Sequence, residues 1–376
     1  MELKRIIYIG NYDNGDSGLS LLTQPSGNTK MKYIIEALCE AGFYVSFVST
    51  AVCSGKEKMS HHTNNYDGYD ITYLYSLGHA GLIRRLLSFI LINIQLAYFF
   101  ITIGSDNKVL LYHSPLLTII SQLLRPFYRR SRLFYEVEEI YAVVKKQGKR
   151  KIEFEKASLS RADGYIVVND YINKLCKFKV HSVVCYGCYY AFNSDHVYKR
   201  NDNIISVVYA GGLDNDAFLA IEGIEHLPSN YKLYILGYGS AYDENMLKEK
   251  ISEVNENEGY EKVKFCGCLS GKEYSDFLLH CDIGLCPRSV ISEDSLYAFP
   301  SKILVYLSHN LVVVSTPHEA IKGSKISDCV VFSTDFTPSS IASAVQSVNM
   351  TKVIDNSQVI NSLHKEFVAA LSNLMS

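Results

Sequence analysis

The sequence predicts an α/β fold built from two doubly wound domains, each with a parallel sheet. Short apolar segments alternate with helical segments through most of the chain, and this alternation starts again after a polar stretch at about 193–203. The length of 376 residues, with 48% hydrophobic and 20% charged residues, suits two globular domains. Because short buried strands that alternate with helices form parallel sheets covered on both faces, each half is expected to be one such domain.

The first half contains six apolar runs with the length of strands, separated by helical segments. The first helix shows the helical period, since Ile34, Ile35 and Leu38 share one face and Gly42 provides a stop. The predicted strands are Arg5–Gly10, Tyr44–Thr50, Asp70–Tyr75, Lys108–Tyr112, Arg132–Glu136 and Gly164–Val168. The predicted helices are Asn28–Ala41, Leu82–Ile101, Leu116–Leu124 and Lys149–Ser160.

The second half repeats the alternation with the same short strands. The predicted strands are Ile204–Tyr209, Tyr231–Leu236, Val263–Cys266, Ile283–Cys286, Leu311–Ser315 and Val330–Phe332. The predicted helices are Ala217–His226, Asn245–Asn255, Gly271–His280, Pro300–His309 and an amphipathic tail from Asn356. We expect domains at 1–195 and 204–355, and a C-terminal helix at 356–376 that packs back on the first domain. Ligands of such sheets bind at the carboxyl ends of the strands, so two facing domains predict one cleft between them.

Composition narrows the function and the compartment. With 37 basic and 39 acidic residues the formal net charge is −2, which does not suggest a nucleic-acid-binding protein. The segment from Met1 leads into an apolar strand rather than a secretory signal. The ten cysteines are scattered, mostly inside apolar runs, which favours reduced thiols in a cytoplasmic protein.

One segment, Leu82–Ile101, is apolar enough to be tested as a membrane helix. Its apolar run is interrupted by polar residues and is slightly short for a span, which needs about 20 residues. A buried or interfacial helix is therefore favoured over a transmembrane one. Arg84, Arg85 and the basic run Arg125–Arg132 suit an anionic lipid surface, so peripheral contact with the inner face of the plasma membrane is expected. Solvated helix ends are the alternative.

Three glycine-containing segments are candidate ligand sites. Gly27 and Asn28 lie at the start of the first helix, where free backbone N–H groups suit a phosphate or a hydroxyl-rich ligand. A plain loop with a helix cap is the alternative there. Two further glycine pairs each follow a strand of the second half, where they let a backbone approach a ligand closely: Gly211 with Gly212, and Gly237 with Gly239.

The segment Phe299–Leu304 combines the features of an anion site. Pro300 fits the first turn of a helix, and the N–H groups of that turn are available to an anion. Ser301 and Lys302 add a hydroxyl and a positive charge, which suits a diphosphate. A capped helix with a solvated lysine explains the same residues equally well.

Three stretches together resemble the family-4-like glycosyltransferases. The order of strand, glycine, helix and strand in 265–288, the helix and strand in 299–316, and the segment 153–169 follow the order found in that family. The resemblance implies a GT-B fold, in which two Rossmann-like domains face each other across a cleft. It also implies acceptor binding mainly in the first half, nucleotide-sugar binding mainly in the second, no metal requirement and retention of anomeric configuration.

The sequence departs from that family at the donor site. Tyr297 and Val305 stand where the family often has two glutamates, and neither can bind sugar or ribose hydroxyls as a carboxylate does. Glu293 and Asp294, in the loop before the helix, are candidates to replace a lost carboxylate. We keep Tyr297 among the expected donor contacts.

The basic residues that the family carries after the first strand of the second half are also missing. Gly212 and the acidic run Asp214–Asp216 stand there, so Arg288 and Lys302 are the expected partners of the diphosphate. The run spells D-x-D, which could hold a divalent cation against a diphosphate. Its position at the start of a helix favours capping instead.

Two further groups follow strands of the first half. The resemblance implies that His113 faces the donor sugar, as a hydrogen-bonding or charge-stabilising catalytic residue; a loop histidine is the alternative. Glu136, Glu138 and Glu139 could bind or deprotonate an acceptor hydroxyl, but a solvated acidic face is favoured.

These observations predict an enzyme that transfers a hexose from a UDP- or GDP-type sugar to a glycan or lipid-linked acceptor in surface polysaccharide synthesis. No metal or further cofactor is expected, because the nucleotide sugar is a co-substrate. Two alternatives stay open: a GT-B epimerase that acts on a nucleotide sugar, and a catalytically weak binding subunit. The departures at the donor site keep the second alternative open.

Overall fold

The computed structural model describes residues 4–16, 18–192, 203–288, 296–350 and 355–376. The chain forms two compact units, one of Met1–Cys188 with Lys365–Ser376 and one of Tyr189–His364. Each unit contains one sheet, and helices make the crossover connections between its parallel strands. The predicted α/β class with two doubly wound parallel sheets is confirmed.

The first unit has an eight-stranded sheet. Its strands are β1 Lys4–Gly10, β2 Phe43–Ser49, β3 His62–Asn65, β4 Tyr69–Tyr73, β5 Lys108–Tyr112, β6 Arg132–Val137, β7 Gly164–Val167 and β8 Ser182–Val184. Their order is β3-β4-β2-β1-β5-β6-β7-β8, and only β3 runs antiparallel to its neighbour. The chain therefore reverses its direction of travel between β1 and β5, and the carboxyl ends of these two strands form a switch point.

Helices α1 to α6 belong to the first unit. They are α1 Pro25–Glu40, α2 Leu82–Thr102, α3 Pro115–Leu124, α4 Tyr141–Val144, α5 Lys149–Leu159 and α6 Asp170–Cys176. Helix α1 begins three residues before the predicted start, because Pro25 occupies the first helical position. Gly27 and Asn28 therefore lie inside the first turn rather than in a loop before it.

Helix α2 is not a core helix. Its buried residues form a single stripe, and most of its other apolar side chains are exposed, up to 81% for Leu82. By length and composition alone, this 21-residue helix could cross a membrane. The buried stripe consists of Ser88, Ile92, Leu96 and Phe100.

The second unit has a six-stranded, fully parallel sheet. Its strands are β9 Ile205–Gly212, β10 Tyr231–Tyr238, β11 Val263–Phe265, β12 Ile283–Cys286, β13 Val312–Ser315 and β14 Val330–Phe332. Their order is β11-β10-β9-β12-β13-β14, so the switch point lies between β9 and β12. Fully buried side chains of these strands, such as Val207, Leu233 and Ile283, belong to the hydrophobic core of the unit.

The remaining helices follow in order along the chain. They are α7 Asn215–Glu225, α8 Ala241–Glu258, α9 Gly271–Leu278, α10 Lys302–Ser308, α11 Glu319–Lys322, α12 Pro338–Gln346 and α13 Ser357–Met375. The last residues of α13 belong to the first unit, where Phe367 stacks on Tyr33 with ring centres 5.8 Å apart. Helix α10 begins at Lys302 with Ser301 as its N-cap residue, so Pro300 precedes the helix instead of opening it as predicted.

Candidate functional site

In the second unit, Tyr306 attaches helix α10 to the end of strand β9. The backbone N–H of Ala210 donates a hydrogen bond to the Tyr306 hydroxyl at 2.8 Å, and the ring is fully buried. Gly284 in β12 makes room for this ring, since a Cβ there would lie 2.3 Å from a ring carbon. The position of α10 is therefore fixed against the switch point of the sheet.

Lys302 lies one helical turn before Tyr306, so both side chains project from the same face of α10. Its ammonium is 4.1 Å from the ring centre of Tyr209 and 2.7 Å from the position that a Cβ on Gly211 would occupy. No carboxylate of the described residues lies within salt-bridge distance of Nζ. Burial lowers the pKa of Lys302, and the charge of Arg288 acts in the same direction while Asp216 opposes it. An unpaired ammonium of this kind favours an anionic ligand.

Arg288 follows β12 and lies within electrostatic range of Lys302. Its guanidinium is 3.4 Å from a carboxylate oxygen of Asp216, and its backbone N–H donates to the Thr316 hydroxyl at 2.9 Å. Asp214 is the N-cap of α7 and accepts from the N–H of Asp216, which confirms capping for the D-x-D run. Within the described ranges, no group of three or more His, Cys, Asp and Glu side chains could hold a metal ion.

The two glycine pairs lie side by side, because β9 and β10 pair Gly211 with Gly237. A Cβ on Gly237 would lie 1.9 Å from the Gly211 carbonyl oxygen, so this glycine permits the close approach of the two backbones. A Cβ on Gly239 would meet Leu213 at 3.0 Å, whereas one on Gly212 would make only an ordinary contact at 3.4 Å. Gly211 is the member of the set whose missing side chain leaves space for Lys302.

The other predicted donor residues are placed as follows. Tyr297 is 9% exposed, and Ser301 is exposed and makes no side-chain capping bond. Glu293 and Asp294 lie outside the described residues. The structure therefore brings together Lys302, Arg288 and the glycines of β9.

His318 was not singled out from the sequence. It follows β13 and is 1% exposed, and its Nδ1 atom is buried without a hydrogen-bond partner among the described residues. Burial lowers the pKa of His318 to about 4, with a smaller effect in the same direction from the nearby Arg288. A neutral imidazole with an unused nitrogen beside Arg288 can bond a ligand hydroxyl. The only sequence signal is a histidine just after a strand.

The first unit contains a cavity of about 730 Å³ at the carboxyl ends of β1 and β5. Its lining includes apolar residues of helices α2 and α3, together with Gly10, Gly27 and Tyr112. A Cβ on Gly27 would lie 3.1 Å from the Tyr112 hydroxyl. The side chain of Asn28 instead bonds the backbone of Asp13, with its Oδ1 atom 2.8 Å from the Asp13 nitrogen. Of the two residues predicted at this helix start, Gly27 lines the cavity and Asn28 does not.

His113 is buried, with both ring nitrogens bonded inside the first unit. Nε2 is 2.8 Å from a carboxylate oxygen of Glu155, and Nδ1 is 3.0 Å from the Thr118 hydroxyl. Glu155 also accepts the backbone N–H groups of Tyr141 and Ala142. Burial raises the pKa of Glu155, but the bonds from His113 and these N–H groups outweigh it and hold the pKa below its usual value. The imidazole therefore does not face an open site as expected, because its bonds tie it to α5, and its catalytic role stays a prediction.

The acidic segment at the end of β6 is not a solvated face, which corrects the sequence interpretation. Glu136 is fully buried and accepts a hydrogen bond from Tyr8. Glu138 forms an ion pair at 3.5 Å with Lys30, which is also buried. Burial, followed by the charge of Glu138, raises the pKa of Glu136 to about 8. Glu136 lies at the end of its strand, where its carboxylate contacts Tyr8 of β1. The apolar pattern of a single strand cannot predict this contact, because the contact depends on another strand.

No protein-family sequence model matches this chain, and no curated protein is similar to it in sequence. Solved structures nevertheless match it over nearly its whole length. The E. coli trehalose-6-phosphate structure bound with UDP-2-fluoro glucose has a TM-score of 0.70 at 11% identity, over 99% of both chains. The α,α-trehalose 6-phosphate synthase from Burkholderia multivorans has a TM-score of 0.68 at 10% identity, over 99% of this chain and 95% of that one.

A third similar structure is an α,α-trehalose-phosphate synthase (UDP-forming) from Burkholderia xenovorans in complex with glucose-6-phosphate. Its TM-score is 0.67 at 10% identity, over 98% of both chains. At such low identity these similarities establish the fold alone. The GT-B fold expected from the sequence is therefore confirmed.

Proposed function

We propose that this protein is a glycosyltransferase that transfers a hexose from a nucleotide-diphosphate sugar to an acceptor, with retention of configuration. The observation that carries the proposal is the ammonium of Lys302, which has no carboxylate partner among the described residues and lies over Gly211 at the switch point of the second sheet. Parallel sheets bind nucleotides at this position. A diphosphate would supply the anionic partner of Lys302 and would add a second anionic contact to Arg288, which already lies 3.4 Å from Asp216.

The proposed roles follow from the geometry of the second unit. Lys302 and Arg288 bind the diphosphate and stabilise its charge as the sugar leaves. Gly211 and Gly212 let the backbone approach the phosphates, and Gly237 with Gly239 shapes the neighbouring strand end. The unused Nδ1 atom of His318 bonds a hydroxyl of the donor. In this assignment no carboxylate is needed at the position that Tyr297 occupies.

Two of the similar structures indicate which ligands to try first. One was solved with UDP-2-fluoro glucose and another with glucose-6-phosphate, so UDP-glucose is the first donor to test. A study of trehalose-6-phosphate synthase concerns glycosyl transfer with retention, which supports the proposed stereochemistry. The acceptor class and a role in polysaccharide synthesis rest on the sequence resemblance.

We also propose that the first unit contacts a membrane surface from the cytoplasmic side. Its support is the exposed apolar face of α2, where Ile83, Ile94 and Tyr98 are 75%, 60% and 70% exposed. Basic side chains at the start of α2 and at Arg129 and Arg130 would add attraction to anionic lipids. Sedimentation with anionic and neutral liposomes at low and high salt tests this, and equal recovery with both would contradict it.

A thermal-shift titration with UDP-glucose, GDP-mannose and UDP tests the donor site. A ligand that binds only the folded protein raises the unfolding temperature by mass action. Lys302→Ala and Arg288→Ala are expected to remove the shift. Lys322→Ala is the matched control, because Lys322 is an exposed cation of the same unit whose one ion pair among the described residues is with Glu319.

Each outcome of the donor titration selects one of the functions. Loss of the shift in both site variants, with transfer or hydrolysis of the sugar by the parent protein, supports the proposal. A shift that survives Lys302→Ala contradicts the site assignment. Isomerisation of the nucleotide sugar without transfer would identify an epimerase, and binding without turnover would identify a binding subunit.

A further inference from the structure

We infer that the cavity of the first unit binds an amphiphile with an anionic head group and a long apolar chain. Taking this amphiphile to be the acceptor rests on the proposed function. It narrows the acceptor to a lipid-linked substrate. Three observations carry it: the apolar wall of the cavity, its charge and the environment of Arg85.

The apolar wall comes from one stripe of α2 and from α3. Leu82, Leu86, Phe89 and Ile92 recur at helical spacing along the cavity. Leu86 and Phe89 remain 57% and 51% exposed, so the wall meets solvent when the cavity is empty. An apolar chain along this stripe would remove that surface from water, at about 25 cal/mol per Å².

The charge of the lining has one sign. Arg85 and Lys145 line the cavity, and none of the described lining residues is an aspartate or a glutamate. Lys145 lies 5.5 Å from the ring centre of Tyr141, and no described carboxylate is within salt-bridge distance of either cation. The charge of the lining therefore complements an anionic group.

The position of Arg85 supports an anionic ligand independently. Arg84 and Arg85 both lie in the first turn of α2, which has no acidic residue and no side-chain cap. Positive charge is unfavourable at a helix N-terminus, which carries a partial positive charge itself. The guanidinium of Arg84 donates to the carbonyls of Lys56 and Leu77, whereas that of Arg85 makes no hydrogen bond to the described residues. An anion bound at Arg85 would offset the unfavourable positive charge at the helix N-terminus. It would also give the guanidinium a hydrogen-bond partner.

These features together identify the occupant. A soluble sugar phosphate would leave the apolar stripe in water, and a neutral lipid would leave the two cations without a partner. The volume of about 730 Å³ falls within the range of roughly 300–1,000 Å³ for small-molecule sites, so the head group and part of a chain fit. The remainder of a longer chain would extend along the exposed length of α2.

Binding of dodecyl phosphate to the full chain, measured by calorimetry below its micelle concentration, tests the inference. Dodecyl maltoside supplies the chain without the charge, and inorganic phosphate supplies the charge without the chain. We expect dodecyl phosphate to bind at least about tenfold more tightly than either probe. Equal affinity for dodecyl maltoside, or for inorganic phosphate, would overturn the inference.

Variants of α2 distinguish the head-group contact from the chain contact. Arg85→Gln should weaken dodecyl phosphate binding about tenfold and leave dodecyl maltoside unaffected. Phe89→Ser should weaken both. Ile83→Ser is the matched control, because Ile83 is 75% exposed on the same helix but does not line the cavity. An equal effect of Ile83→Ser and Phe89→Ser would show non-specific adsorption to the helix and overturn the inference.

A UDP-glucose titration on the same samples separates the two proposals. Tight UDP-glucose binding with no preference for dodecyl phosphate would overturn the cavity inference and leave the donor site intact. Dodecyl phosphate binding in a protein that binds no nucleotide sugar would overturn the proposed function and leave the cavity assignment. Unfolding temperatures without ligand confirm that each variant is folded.

Discussion

The ammonium of Lys302 occupies space that a side chain on Gly211 would need, because Nζ lies 2.7 Å from the Cβ position of residue 211. Two parts of the chain separated by about ninety residues thus form one feature at the carboxyl edge of the second sheet. Any side chain larger than hydrogen at position 211 would therefore displace the Lys302 ammonium.

Gly211→Ala is expected to weaken UDP-glucose binding about tenfold, because the new methyl group displaces the Lys302 ammonium. Some stability should also be lost, since the new Cβ would lie 3.1 Å from the hydroxyl of the buried Tyr209; unfolding without ligand measures that loss separately. Calorimetric titration measures the affinity, and Gly148→Ala serves as the control because nothing lies within 4 Å of its Cβ position. Unchanged affinity in Gly211→Ala would show that Lys302 does not contact the donor.

Tyr306→Phe is expected to destabilise the second unit by about 1–3 kcal/mol, because the buried N–H of Ala210 loses its acceptor. Urea unfolding measures the change. Tyr242→Phe removes the same hydroxyl from a ring that is 72% exposed, and it should leave stability unaltered. Equal stability of both variants would mean that the Tyr306 bond does not anchor α10.

His318→Leu is expected to weaken donor binding while the protein keeps or gains stability. The parent Nδ1 atom is buried without a partner in the described structure, so its removal relieves a desolvation cost in the absence of ligand. Thermal unfolding with and without UDP-glucose measures both effects. His226→Leu, at an exposed histidine of the same unit, is the control. A loss of stability without any loss of binding would assign His318 to packing alone.

Glu136 is expected to make stability depend on pH. Its folded pKa is about 8, whereas an unfolded glutamate has a pKa of about 4.3, so the folded state binds more protons between these values. Stability should therefore fall as pH rises from about 4 to 8. Glu136→Gln should remove this dependence, as urea unfolding at several pH values can show. A parallel decline in both proteins would assign the dependence to other groups.

His113→Ala is expected to cost about 1–3 kcal/mol of stability, because buried Glu155 loses one donor. Its effect on the single-turnover rate of the folded protein tests the predicted catalytic role. A rate that stays the same would leave His113 as a structural partner of Glu155. A drop of at least about a hundredfold, as when one hydrogen-bonding or charge-stabilising group of a site is removed, would support the predicted catalytic role.

Much of the fold could be predicted because apolar runs mark buried strands directly. Strands β5 and β12 have the predicted bounds. Strand β3 was missed because its sequence is polar, and β8 was missed because its run is short and none of its three residues is fully buried. Both are edge strands, whose pairing depends on a neighbour rather than on their own composition.

The candidate site could be predicted only in part. Arg288 and Lys302 were identified from the resemblance and from residue chemistry, and the structure brings them within electrostatic range. The bond between Tyr306 and Ala210, and the buried nitrogen of His318, could not be read from local sequence. Both features depend on which part of the sheet a helix or loop packs against, and that part is distant in sequence.

The sequence by itself determined the alternation of strands and helices, its restart near residue 200 and the basic residues of the second unit, because these depend on local composition and period. Tertiary structure alone decided that Lys302 lies against Gly211, that Glu136 is buried and that most of the apolar side chains of α2 are exposed. Burial and charge pairing are properties of the packed chain, since they depend on neighbours that are far apart in sequence.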